Sequence, residues 1–160
     1  MTRLPEPLTL TAPHGEGSVL SYGAHAMSWA PGGHEPVLWV SSRAATETGR
    51  AIRGGVPVCF PWFGPGRTGE MTPAHGFARI TEWHLDEQGQ DDAGNAFASF
   101  SLTPQDVSEQ LRESFPYEFS ATLRMTVGSA LCLDLRVTNT GDETFEIEEA
   151  LHAYLSVGDA

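Results

Sequence analysis

Positive charge is scarce in this chain. Its 160 residues carry 9 Lys+Arg against 21 Asp+Glu, a formal net charge of −12 with histidine neutral, and the pI is near 4.7. Phosphate-tracking surfaces need a cationic face, so a nucleic-acid partner is disfavoured, and so is an anionic membrane surface. Long apolar runs are also missing. The most apolar stretch, VPVCFPWF (56–63), is too short to span a bilayer and holds two prolines. The opening MTRLPEPLTL lacks the apolar core of an export signal. Cysteine is limited to Cys59 and Cys132, far apart and in no metal or redox spacing. That usage predicts a reducing cytoplasm, with a 59–132 disulfide the less favoured alternative. The chain has no HExxH, no GxSxG, no P-loop and no GxGxxG between a strand and a helix. A zinc hydrolase, a serine hydrolase, an NTPase and a dinucleotide enzyme are therefore disfavoured, and no metal or cofactor is expected.

What the chain has is turns and alternation. With 17 Gly and 11 Pro it favours short elements joined by turns over long helices. From 119 to 127 the odd positions read Phe119, Ala121, Leu123, Met125, Val127 and the even ones Ser120, Thr122, Arg124, Thr126. Side chains two apart share a strand face, so this is a half-buried strand. After Gly128-Ser129 the pattern resumes, with Leu131, Leu133, Leu135 and Val137 inward. Asn139-Thr140-Gly141-Asp142 reads as a turn, and a third alternating run over 143–157 places Leu151, Ala153 and Leu155 in the core and His152, Tyr154 and Ser156 on the polar face. Further strands are expected at 6–12, 18–29, 36–41, 80–87 and 95–103, and one short helix at 105–114. Many strands with Gly/Pro-rich turns predict an all-β antiparallel sandwich, a single domain over 1–160.

Residues 49–79 resist the strand reading. They are rich in glycine and proline and hold Arg50, Arg53, Arg67 and Arg79 together with Trp62 and His75. Long irregular loops on a sandwich are commonly functional, although a structured crossover would look the same. Arg53 precedes Gly54-Gly55, where bare backbone N–H groups and a guanidinium suit a phosphate or carboxylate; pairing with one of the many acids is the plain alternative. His75 stands four residues before Arg79, near Trp62, Phe63 and Phe77, whose flat faces suit a sugar ring or a core equally well. On parity alone His152 is an exposed imidazole on a solvated face, though one able to exchange a proton near neutral pH.

Three strings give these residues a context: AIRGGVPVCFPWFGP (51–65), AHGFAR (74–79) and ALHAY (150–154). Together with SYGAHAMSW (21–29), EPVLWVS (35–41) and SFPYEF (114–119), they resemble the aldose 1-epimerase superfamily, most closely its hexose-6-phosphate mutarotase branch. The resemblance implies a galactose-mutarotase-like β-sandwich that interconverts the α and β anomers of a hexose 6-phosphate by acid/base ring opening and closure. It implies that His152 is the general acid at the ring oxygen and that His75 holds sugar hydroxyls and the ring oxygen. It implies that Arg53 and Arg79 hold the phosphate and that Trp62 and Phe63 line the pocket.

The same resemblance implies that the chain is an N-terminal portion of such an enzyme. The family's general base is a glutamate on a late strand beyond the position of Ala160, and Glu148 and Glu149 match no family base. A sandwich ending there exposes strand edges, so self-association through those edges is expected. A non-catalytic sugar-phosphate-binding module, or an inactive fragment lacking the base, is the alternative to the enzyme.

Overall fold

A computed structural model describes residues 2–158. Three strands open the chain: β1 (Leu8–Ala12), β2 (Gly15–Leu20) and β3 (His25–Pro31), paired antiparallel in the order β1-β2-β3. The expected strand 18–29 is thus two strands. A tight turn intervenes, closed by Ala24 N–H on Ser21 O at 3.1 Å, with Gly23 at φ +79°. A side chain at Gly23 would meet Arg79 O at 2.9 Å, so the turn needs glycine for both conformation and space.

The second sheet is β5 (His84–Gln90), β6 (Ala96–Leu102), β7 (Phe119–Val127) and β8 (Leu131–Asn139), in that order and antiparallel throughout. Pairing of β7 with β8 is unbroken from Phe119↔Asn139 to Val127↔Leu131. The first sheet lies on β6 and β7. Between the layers sits a continuous apolar core that includes Val19, Val58, Phe60, Phe77, Phe100, Phe119, Leu123 and Met125. Glycine at 17 permits this approach, since a Cβ there would come within 3.0 Å of the Met125 and Val127 side chains.

Helix is short and broken. The expected helix over 105–114 resolves into a 3-10 turn, Pro104–Asp106, and a single α-turn, α1 (Glu109–Arg112). Asp106 closes the first turn at once by accepting from both Thr103 N–H and Thr103 Oγ1 at 2.8 Å. Val107 then leaves the helical path to bury itself in the core, and Ser108 restarts the helix.

The last alternating run departs most from expectation. Its regular pairing is confined to β9 (Ala150–Leu151), which pairs with β4 (Val58–Cys59), and to an isolated bridge from Leu155 to Leu38. The 36–41 segment likewise holds only isolated bridges, at Leu38 and Val40. Leu155 and Ala153, expected in the core, are exposed, Leu155 at 58%. Leu131, Leu133, Leu135 and Val137 face inward as predicted but stay half-buried. An open trough of 430 Å³ runs between them and the final segment, lined by Trp29, Leu38, Leu131, Leu133, Leu151 and Leu155 among others. Among the described residues, no helix is long and apolar enough to cross a membrane.

Candidate active site

The irregular 49–79 region is built along the final segment. Tyr154 N–H donates to Gly55 O at 2.9 Å, His152 N–H to Pro57 O at 3.1 Å and Glu148 N–H to Pro61 O at 3.0 Å. On the other side of this ribbon, Val56 N–H reaches Ala26 O at 2.9 Å. Residues 55–61 are therefore a strand-like strip held from both sides, which is how a Gly/Pro-rich stretch keeps a fixed shape. Glycine at 55 is required, because a Cβ would lie 2.2 Å from Ala26 O and 2.8 Å from the His25 ring.

His75 reaches the strip from a turn. Its own backbone is left-handed, at φ +66°, an uncomfortable conformation for any residue but glycine. Gly76 follows at φ +72° and presses on the strip so closely that a Cβ would sit 2.1 Å from Phe60 O. That contact and the bond from Ala78 N–H to Phe60 O at 3.1 Å fix where the His75 ring emerges.

The result brings His75 and His152 together, their ring centroids 6.3 Å apart. Phe63 touches both: its ring is 4.6 Å from His75 edge-on and 6.2 Å from His152, nearly parallel to it. Tyr154 continues the row 5.0 Å beyond His152, and Trp39 lies 6.3 Å beyond Tyr154. Phe63 and Trp39 are 42% and 44% exposed, so the row reaches solvent at both residues. Glu148 accepts the Phe63 backbone N–H at 3.1 Å, steadying the residue between the two imidazoles.

Trp62, expected to line the pocket, does not. It is 2% exposed, packs edge-on against Phe77 at 5.8 Å and donates its indole N–H to Pro73 O at 2.9 Å. The chain bends at Phe63, just past the continuously buried 54–62 stretch, so Trp62 is the last residue of that stretch held in the core and Phe63 the first to emerge.

The two arginines expected to share a phosphate occupy different settings. Arg79 stands beside the imidazoles and acts electrostatically on His75, His25 and Cys59. It donates to Ala74 O, and its Nε is buried with no partner among the described residues. Arg53 is exposed and, with Arg43 and Arg50, lines a 250 Å³ cavity in which Glu47 is the one acidic wall residue. Among the described residues the ion pairs engage Arg3, Arg67 and Arg124, so this trio is held together with no carboxylate bound to it. In a chain of charge −12 that is an uncommon use of guanidinium groups.

Protonation states follow from burial. His75 titrates below the ordinary imidazole value, through its own desolvation and then the Arg79 and His152 charges. Burial raises the Cys59 thiol, so it stays protonated at neutral pH. His25 is fully buried, donates from Nε2 to Gly54 O at 2.8 Å and has its pKa lowered to about 4, mainly by desolvation. Cys59 is buried and Cys132 exposed, and both are free thiols. The sequence gives His25, Cys59, Gly64 and Trp39 no individual role, and Tyr154 only a place on the face of His152. All five lie within strings that carry the resemblance: His25 in SYGAHAMSW, Trp39 in EPVLWVS, Cys59 and Gly64 in AIRGGVPVCFPWFGP and Tyr154 in ALHAY.

This layered antiparallel fold is that of the galactose-mutarotase-like β-sandwiches. A protein of that description from Lactobacillus casei superposes with a TM-score of 0.65 at 16% identity, over 84% of this chain and 44% of the other, a likeness of fold alone. The chain belongs to the aldose 1-epimerase family, whose profile matches residues 6–160. A relative from Escherichia coli K12, provisionally named glucose-6-phosphate 1-epimerase, is 42% identical over 147 residues, 92% of this chain and 47% of its own length. One of the same provisional name from the grass Cenchrus ciliaris is 34% identical over 86% of this chain and 43% of its own length. The crystal structure of a provisionally named mutarotase from Salmonella typhimurium superposes with a TM-score of 0.81 at 38% identity, over 94% of this chain and 48% of the other. The chain thus spans about half the length of the relatives it matches.

Proposed function

We propose that this chain carries the imidazole pair and the phosphate-recognising arginines of a site that interconverts the anomers of a hexose 6-phosphate. The observation that carries the reading is the meeting of His75 and His152, from distant parts of the chain, with ring centroids 6.3 Å apart and the exposed Phe63 ring against both. In this reading a pyranose lies on the aromatic row. A base removes the proton of the anomeric hydroxyl, the bond from C1 to the ring oxygen breaks, and His152 gives its proton to that oxygen. The open aldehyde turns about C1–C2 and closes on the other carbonyl face, returning both protons. General acid or base assistance of this kind contributes about 10²- to 10⁴-fold per group. His75, kept neutral by burial and by Arg79, holds oxygen atoms of the sugar. The trio of Arg43, Arg50 and Arg53, outweighing the one carboxylate of its cavity wall and in no ion pair among the described residues, supports an anionic substituent, and a phosphate matches guanidinium forks.

A second reading is a sugar-phosphate-binding module without turnover. It is favoured by the state of Glu148, a carboxylate beside the row, whose oxygen is engaged by the Phe63 N–H at 3.1 Å. A coupled anomerisation assay on freshly dissolved α-glucose 6-phosphate separates the two. Turnover above the buffer rate that falls about 10²-fold or more in His152→Ala supports catalysis. Saturable binding without turnover selects the module. Binding that treats free glucose and glucose 6-phosphate alike, and ignores Arg53→Ala, overturns the phosphate assignment.

A further inference from the structure

Two hydrogen bonds running in opposite senses join His75 to Gly64. The His75 backbone N–H donates to Gly64 O at 2.7 Å, and Gly64 N–H donates back to the ring Nδ1 at 3.2 Å. A backbone N–H can only donate, so Nδ1 must present a lone pair. Turning the ring over would set a C–H against that N–H and leave it stranded in a part-buried place. The Cys59 sulfur lies 3.7 Å from the same nitrogen, and its retained proton makes it a second, weaker donor. A proton on Nδ1 would point at both an N–H and an S–H. The ring's hydrogen is thereby sent to Nε2, which is not among the buried unpartnered atoms. His152 is held differently. Its Nδ1 is buried and has no partner among the described residues, so no donor there dictates which nitrogen carries the proton.

We propose that Gly64 and Cys59 are positioning residues that lock His75 as its Nε2–H tautomer, so that it serves as a fixed hydrogen-bond donor to the sugar and does not exchange protons with it. The role toward the sugar rests on the function proposed above; the lock rests on the geometry alone. The division is chemically coherent. A donor with a fixed tautomer suits an oxygen that must stay in place while the ring opens, and a ring free to change its proton suits the oxygen that gains and loses one.

Long-range proton–nitrogen spectra of the nitrogen-15-labelled chain test the lock, with His75 assigned by the signals lost in His75→Gln. At neutral pH His75 is expected to show a pyridine-type shift at Nδ1 and a pyrrole-type shift at Nε2. A pyrrole-type Nδ1, or shifts averaged between tautomers, overturns the proposal; should His75→Gln fail to fold, through-bond correlation from the His75 backbone supplies the assignment in the unaltered chain. Cys59→Ser, which keeps a donor, is expected to preserve the pattern. Cys59→Ala is expected to raise the titration midpoint of His75 toward the ordinary imidazole value and to admit some of the other tautomer; an unchanged midpoint and pattern remove Cys59 from the assignment. Adding glucose 6-phosphate is expected to move the Nε2–H resonance while Nδ1 stays pyridine-type. A locked ring that ignores the sugar phosphate overturns the donor role and the substrate reading but leaves the tautomer assignment standing. A ring that responds but averages does the reverse.

Discussion

Strands β7 and β8 carry the same alternating pattern and pair residue for residue, yet they end in different environments. Phe119, Ala121, Leu123, Met125 and Val127 of β7 are all 2% exposed or less. The partners of the last four, Val137, Leu135, Leu133 and Leu131 on β8, point to the same side and remain half-buried. Two-residue periodicity tells which way a side chain points. How deep it lies depends on what is laid over it, and only β7 has the first sheet above it.

The largest effect should come from emptying each side in turn. Leu123→Ala removes a side chain from a filled core and is expected to cost about 2–5 kcal/mol. Leu135→Ala, directly across the ladder, should cost roughly 1 kcal/mol, because little is stacked on it. Urea unfolding of both variants decides, and equal losses would break the contrast. Next in size is the behaviour of His25, which belongs to the filled side. Its folded pKa of about 4 lies below the ordinary 6.5, so on acidification the unfolded chain takes up a proton that the folded chain refuses. Its contribution is intact above about pH 6.5 and declines steadily toward pH 4, a loss of about 3 kcal/mol that His25→Gln should flatten in a series of urea midpoints. The smallest effect belongs to the trough. Leu133→Gln should change stability by less than about 1 kcal/mol while lowering the fluorescence of an apolar dye such as ANS bound to the chain. A dye signal indifferent to position 133 would show that the trough is not the apolar face it is taken to be.

The paired β strands were readable because their periodicity is local, and β6, β7 and β8 fall within a residue or two of where alternation puts them. The 143–157 run was misread for the same reason. Its pattern is regular, but its neighbours are the 55–61 strip and the bridge at Leu38, so it gains only a short ladder and no deep core. The nearness of the two histidines came from the resemblance, since nothing in spacing says that position 75 meets position 152. Trp62 and Phe63 show the limit most sharply. Adjacent aromatics of equal promise separate into core and surface because the chain turns out of the core between them, at a bend no local pattern announces. The Gly64 clamp had no signal at all, being a bond from backbone to side chain.

The left-handed backbone at position 75 carries a consequence of its own. Glycine would take that conformation with about 1 kcal/mol less strain, but would leave the part-buried Gly64 N–H without its acceptor. Conformational ease and chemical usefulness pull against each other at this residue. A screen for stability alone should therefore find little to gain at position 75, where relieved strain and a stranded donor offset one another.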